Sequence, residues 1–163
     1  MMQSSAGNLQ LAKQPNSKNC FVCGLENTCG LQLSFYETGQ GDVVSDVVMD
    51  NRFEGFPGTV HGGIIATMLD EAAGRVAMVG KPNEFSVTAR LEVRYRKPVP
   101  VGGNVRVIGR MVRRRGRLVT AHAEVHLENG DVAAEAEVLL ADREGVEIDP
   151  ARLEELGWVV YPD

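Results

Sequence analysis

Apolar and polar positions change period twice along the chain. Residues 31–36 and 43–49 alternate, which predicts two strands joined across Gly39-Gln40-Gly41. In the second, Val43 and Val47 flank Ser45 on one face while Val44 and Val48 flank Asp46 on the other. A loop at 50–59 follows, punctuated by Gly55, Pro57 and Gly58. From His61 to about Val79 the spacing turns helical. Ile64, Met68, Ala72 and Val76, with Ile65, Leu69, Ala73 and Ala77, form a broad stripe that has to be buried, and Gly80-Lys81-Pro82 ends it.

Alternation returns in 87–95, 104–112, 118–127 and 132–141. Val87, Ala89, Leu91 and Val93 oppose Thr88, Arg90, Glu92 and Arg94; Val119, Ala121, Ala123 and Val125 oppose Thr120, His122, Glu124 and His126. Arg115-Gly116 and Asn129-Gly130 are short turns, so these strands are expected as antiparallel hairpins. Asp149-Pro150 reads as a helix cap and first position, with Gly157 closing a short terminal helix. Two strands, one long buried helix and four long strands predict an α+β domain with a curved antiparallel sheet wrapped around that helix.

The 163 residues, 44% hydrophobic, suit one domain. The polar opening, residues 1–18, is expected as a flexible tail, leaving 19–163 as a single domain. The net charge of -5 argues against nucleic acid, whose phosphates need a basic face. The sequence offers no membrane span and no secretory leader, so a cytoplasmic location is expected. Cys20, Cys23 and Cys29 suit neither a disulfide framework nor a four-ligand zinc site; reduced thiols, no metal and no cofactor are expected.

The chemistry concentrates at Val60-His61-Gly62-Gly63. A histidine and two glycines opening a helix leave backbone N–H groups at the positive end of its dipole, where an oxyanion is stabilised. Farther along, Asp70 has Ala66 one turn before and Gly74 one turn after, so no helical neighbour supplies a cation. Glu71 differs, because Arg75 four residues on makes an ordinary surface pair with it. Gly63, Thr67, Asp70 and Gly74 share one face, a small and polar strip that suits the floor of a narrow cleft or close packing on another backbone.

The segment FEGFPGTVHGGIIATMLDE, residues 53–71, resembles the HGG-containing segment of hotdog-fold acyl-CoA thioesterases of the phenylacetate-pathway (PaaI) type. Residues 87–102, ending YRKPVPVG, are similar to that family's next strand, and residues 20–31, opening CFVCG, to an N-terminal signature of one bacterial subgroup. The resemblance implies a hotdog fold and hydrolysis of an acyl-CoA substrate. Asp70 would then be the catalytic acid nine positions after His61, acting as general base or nucleophile, with the Gly62 N–H as oxyanion donor. Thr88 matches a position where relatives carry a Ser or Thr that positions water, although alternation puts it with Arg90 and Glu92. Gly55 stands where some relatives carry an Asn or Gln that assists the carbonyl.

Within one helix, Gly62 and Asp70 are separated by more than about 10 Å at 1.5 Å per residue, too far to share a carbonyl. The resemblance implies a homodimer or homotetramer in which antiparallel helices bring Gly62 of one subunit beside Asp70 of the other. Gly63 and Thr67 are expected to contact substrate. Coenzyme A phosphates require local positive charge, offered by Arg115 and Arg117, with Arg113 and Arg114, around Gly116, or by Arg94, Arg96 and Lys97. Phe53 and Phe56 are expected either to line an acyl tunnel or to anchor their loop. His122 and His126 read as solvated outer-face residues. A non-catalytic acyl-CoA sensor is the alternative; a hydratase would need a different Asp/His constellation in the loop before the helix, where His61 is the only histidine.

Overall fold

The computed structural model describes residues 11–143 and 148–163. Its elements are β1 (Ala12–Lys13), β2 (Tyr36–Glu37), β3 (Val43–Val48), α1 (Gly62–Ala77), β4 (Ser86–Tyr95), β5 (Asn104–Arg115), β6 (Leu118–Leu127), β7 (Val132–Asp142) and α2 (Pro150–Glu155). The strands form one antiparallel sheet in the order β1-β2-β3-β5-β6-β7-β4, with α1 packed against β3 through β7. This is the expected hotdog arrangement of a curved sheet around one long helix.

The core follows the helical stripe. Ile65, Met68, Leu69, Ala72, Ala73 and Val76 are buried against Val105, Val107, Val119, Ala121, Ala123, Val125, Val138 and Leu140. Small residues set the helix close to the sheet. At Gly109 a Cβ would lie 2.4 Å from Ala72 O, so the approach of backbone to backbone requires glycine there. The terminal helix forms as expected, with the Asp149 carboxylate capping Ala151 N–H and Gly157 at φ 76°.

Several expectations change. The opening segment is folded from Leu11 onward, while residues 1–10 of the expected tail lie outside the described residues. Gln14 and Asn16 are buried; Asn16 Nδ2 donates to Cys23 O and Leu33 O, both at 2.8 Å, and Gln14 Nε2 to Arg75 O at 3.2 Å. Polar composition suggested solvent, but these amides satisfy buried carbonyls. The expected strand at 31–36 is reduced to its end. Leu31, Leu33 and Phe35 are buried, yet Leu31 N–H and Leu33 N–H donate to Phe21 O and Val22 O, and Gln32 breaks the extended run at φ 54°. Likewise, Glu71–Arg75 is not a surface pair. The 2.9 Å bond is present, but Arg75 is only 2% exposed, donates to Pro15 O and packs against the Phe35 and Trp158 rings.

Strand β4 closes the order at one edge, pairing with β7. Its register jumps from Thr88 opposite Leu140 to Arg90 opposite Leu139, so Ala89 is bulged out. The bulge reverses the alternation. Thr88 therefore shares the helix-facing side with Leu91 and Val93, opposite buried Leu140, Val138 and Ala136, while Arg90 turns outward. Even on this side β4 leaves apolar surface open, with Leu91 37% and Tyr95 51% exposed.

Candidate active site

His61 occupies the N-cap of α1, with φ -61° and ψ 134°. Its Nδ1 accepts from Gly63 N–H at 2.9 Å, which holds the ring in the tautomer carrying its proton on Nε2. The ring therefore caps α1. Glycines make room for it, since a Cβ on Gly63 would lie 3.1 Å from His61 Nδ1 and one on Gly55 2.9 Å from His61 Cα. The missing amide at Gly55 has a steric cause. Gly62 is the first helical residue, and among the described residues none accepts its N–H. The dipole end of α1 and this N–H together favour an anion.

Tyr95, quoted only as part of a strand motif, belongs to this region. Its Oη donates to Gly62 O at 2.7 Å and its ring lies against the Gly62 Cα, tying the end of β4 to the start of the helix. Its signal was the terminal aromatic of β4, now on the helix-facing side. Thr67 turns back on its own helix, donating to Gly63 O at 2.8 Å. His61, Gly63 and Thr67 line a hollow of about 510 Å³ with Phe21, Phe53 and Ile64. Phe53 is buried and anchors the loop, whereas Phe56 is 83% exposed.

Asp70 stands in a different hollow, of about 270 Å³, with Thr88, Ser86, Cys20 and Trp158 among its lining. Here the Thr88 hydroxyl donates to Asp70 Oδ1 at 2.7 Å. One chain thus presents two separate groups, an N–H at the helix start and an oriented carboxylate more than two turns later.

The basic residues divide. Arg96 and Lys97 are paired with Glu135 and Asp131 at 2.5 and 2.7 Å. The hairpin at Gly116 lies near the Asp70 hollow: Asp142 joins Arg114 at 2.7 Å and Ser86 at 2.8 Å, and Arg117 donates to its backbone carbonyl at 3.2 Å. Arg115 is exposed at the tip and, like Arg113, takes no acidic partner among the described residues. His122 and His126 face Glu124 at 3.4 and 2.8 Å, and Arg110 joins the same carboxylate at 2.8 Å. Burial would raise the Glu124 carboxyl, but hydrogen bonds from His126 and Arg110 outweigh it and pull it down to about 2.

A family profile described as the thioesterase superfamily matches residues 57–134, from the loop before α1 into β7. This segment of the chain is similar to the thioesterase superfamily. The chain is 31% identical over 106 residues to the acyl-coenzyme A thioesterase THEM4 of Rattus norvegicus, covering 64% of this chain and 45% of that protein. The chain spans about half the length of the curated relatives it matches. A solved thioesterase superfamily protein aligns with TM-score 0.70 and 29% identity over 76% of this chain and 60% of its own. A Streptococcus mutans protein, solved bound to acetyl CoA, shares the fold with TM-score 0.59 and 21% identity over 63% of this chain and 82% of its own. The matched segment contains Gly62, Asp70 and Thr88.

Proposed function

We propose that this chain hydrolyses an acyl-CoA to the free acid and coenzyme A, in a site assembled between two copies. The observation that carries the reading is the Thr88–Asp70 bond, which orients a carboxylate on the same helix that opens with an unclaimed Gly62 N–H. The thioester carbonyl oxygen rests on Gly62 N–H of one protomer and gains hydrogen bonding as it becomes an oxyanion. Asp70 of the other protomer supplies the base for water or attacks the carbonyl itself. Thr88 fixes the carboxylate through Oδ1 and so leaves Oδ2 for that step. His61 and Tyr95 hold the Gly62 turn rather than moving protons. Arg113 and Arg115 at the hairpin offer positive charge to the coenzyme phosphates, and the shallow hollow beside Phe21 and Ile64 offers an apolar wall to the acyl group.

The test is thiol release from short, medium, long and aromatic acyl-CoAs by the wild type and Asp70→Asn. Hydrolysis by the wild type and a loss of at least about 100-fold in kcat by the variant support the reading. If both proteins bind acyl-CoA and neither hydrolyses it, the chain is a sensor.

A further inference from the structure

The Asp70 hollow is also lined by two thiols that acyl transfer leaves unused. Cys20 and Cys23 lie in the turn CFVCG, closed by Gly24 N–H donating to Cys20 O at 2.9 Å. A Cβ on Gly24 would lie 2.3 Å from that oxygen, so a turn this tight requires glycine. The turn aims two amides at one sulfur: Val22 N–H and Cys23 N–H donate to Cys20 Sγ at 3.3 and 3.5 Å. Cys20 is partly exposed to the hollow and Cys23 is buried at 1% exposure. The two sulfurs and a Glu71 carboxylate oxygen all lie within 4.8 Å of one another.

We propose that Cys20 and Cys23 are a redox-active dithiol that takes small disulfides from the Asp70 hollow, with Cys20 as the attacking sulfur and Cys23 as the resolving one. The Cys20 thiolate attacks one sulfur of the small disulfide, forming a mixed disulfide and expelling one thiolate. That thiolate takes the Cys23 proton. Cys23 then attacks the Cys20 sulfur and expels the second thiolate, so the cysteine pair is oxidised by two electrons and the small disulfide is reduced to two thiols.

The asymmetry of the pair supports these roles. The hydrogen bond from Cys23 and the two amides, working against burial and Glu71, lower Cys20 to about 6. Cys23 is raised by its bond to Cys20, by burial and by Glu71, with Arg75 opposing, so it waits as a thiol. A cation on the two sulfurs and Glu71 is disfavoured by Arg75, whose buried guanidinium already holds Glu71 Oε1 at 2.9 Å.

The test treats the fully reduced chain with bis(2-hydroxyethyl) disulfide at pH 7 and maps the products by peptide mass. A Cys20–Cys23 disulfide in the wild type, a mixed disulfide on Cys20 in Cys23→Ser, and alkylation of Cys20 by iodoacetamide about tenfold faster than of exposed Cys29 at pH 6 are expected. The alkylation uses the wild type and so stands even where Cys23→Ser fails to fold. Cys20 reacting no faster than Cys29 overturns the proposal, as does a folded Cys23→Ser without the mixed disulfide. A metal bound as purified that shields both thiols until chelated also overturns it and makes the turn a metal site. None of these readouts depends on thioester hydrolysis.

Discussion

Thr88 reaches Asp70, its hydroxyl 2.7 Å from Oδ1, because Ala89 is bulged out of the β4–β7 ladder. In an unbroken strand with Leu91 and Val93 on the helix side, Thr88 would face away. If the bond serves to orient the carboxylate, its loss lowers turnover more than binding. Thr88→Ala is expected to reduce kcat about tenfold with KM within about twofold, and Thr88→Ser to restore most of it, in steady-state thioester hydrolysis. Equal losses in Ala and Ser variants would assign Thr88 to packing.

Gly55 occupies the place where the family resemblance suggests a helpful amide. The structure gives the opposite sign, because a side chain there starts 2.9 Å from His61 Cα and displaces the cap of α1. Gly55→Gln is expected to lower kcat/KM by about tenfold or more and Tm by a few degrees, since a lost N-cap costs about 1 kcal/mol. A gain in activity would show that the loop can yield.

Long periodic stretches were legible because one face of each is buried: the 16-residue helix and β5 through β7 lie where the apolar spacing put them. The Ala89 bulge was not, since a one-residue slip leaves no mark in composition and only the partner strand reveals it. Arg75 was misread for a related reason. An i,i+4 pair looks the same on a surface or beneath a folded segment, and the burial comes from Phe35, Trp158 and Pro15, far away in sequence. Of the site, His61, Gly62 and Asp70 were visible as a motif, whereas the Tyr95–Gly62 bond and the place of Cys20 beside Asp70 depend on tertiary packing.

Gly109 sets the depth at which the helix sits on the sheet. Gly109→Ala would place a methyl 2.4 Å from Ala72 O and 2.9 Å from Ala72 C, both backbone atoms that yield little. A destabilisation of about 2–3 kcal/mol is expected, read by denaturant unfolding, against a stabilisation of about 0.5–1 kcal/mol for Gly74→Ala in the interior of α1, where a Cβ meets nothing within 4 Å.

Glu124 gives the fold an acid-sensitive element. With its carboxyl lowered from 4.5 to about 2, its contribution is fully present above about 4.5 and is lost as pH falls toward 2. Glu124→Gln should therefore lower stability at pH 6 by about 1–2 kcal/mol after allowance for solvent screening, with the difference from wild type shrinking through that window. A constant difference from pH 6 to pH 3 would mean that packing, not ionisation, is lost.

Whether the site is shared between protomers can be decided by mixing two inactive proteins. Gly62→Pro removes the N–H at the first helical position, where proline is tolerated, and His61 at ψ 134° already has the backbone that precedes proline. Asp70→Asn removes the carboxylate. In a mixed dimer one site carries both defects and the other keeps Gly62 from one chain and Asp70 from its partner. Co-refolding the two variants at equal concentration yields about half mixed dimers by random pairing, each with one intact site, so about a quarter of wild-type thioester hydrolysis should return. Each variant alone stays inactive. No recovery, with mixed dimers present by native mass spectrometry, would mean that each site draws both groups from one chain and would remove the shared site.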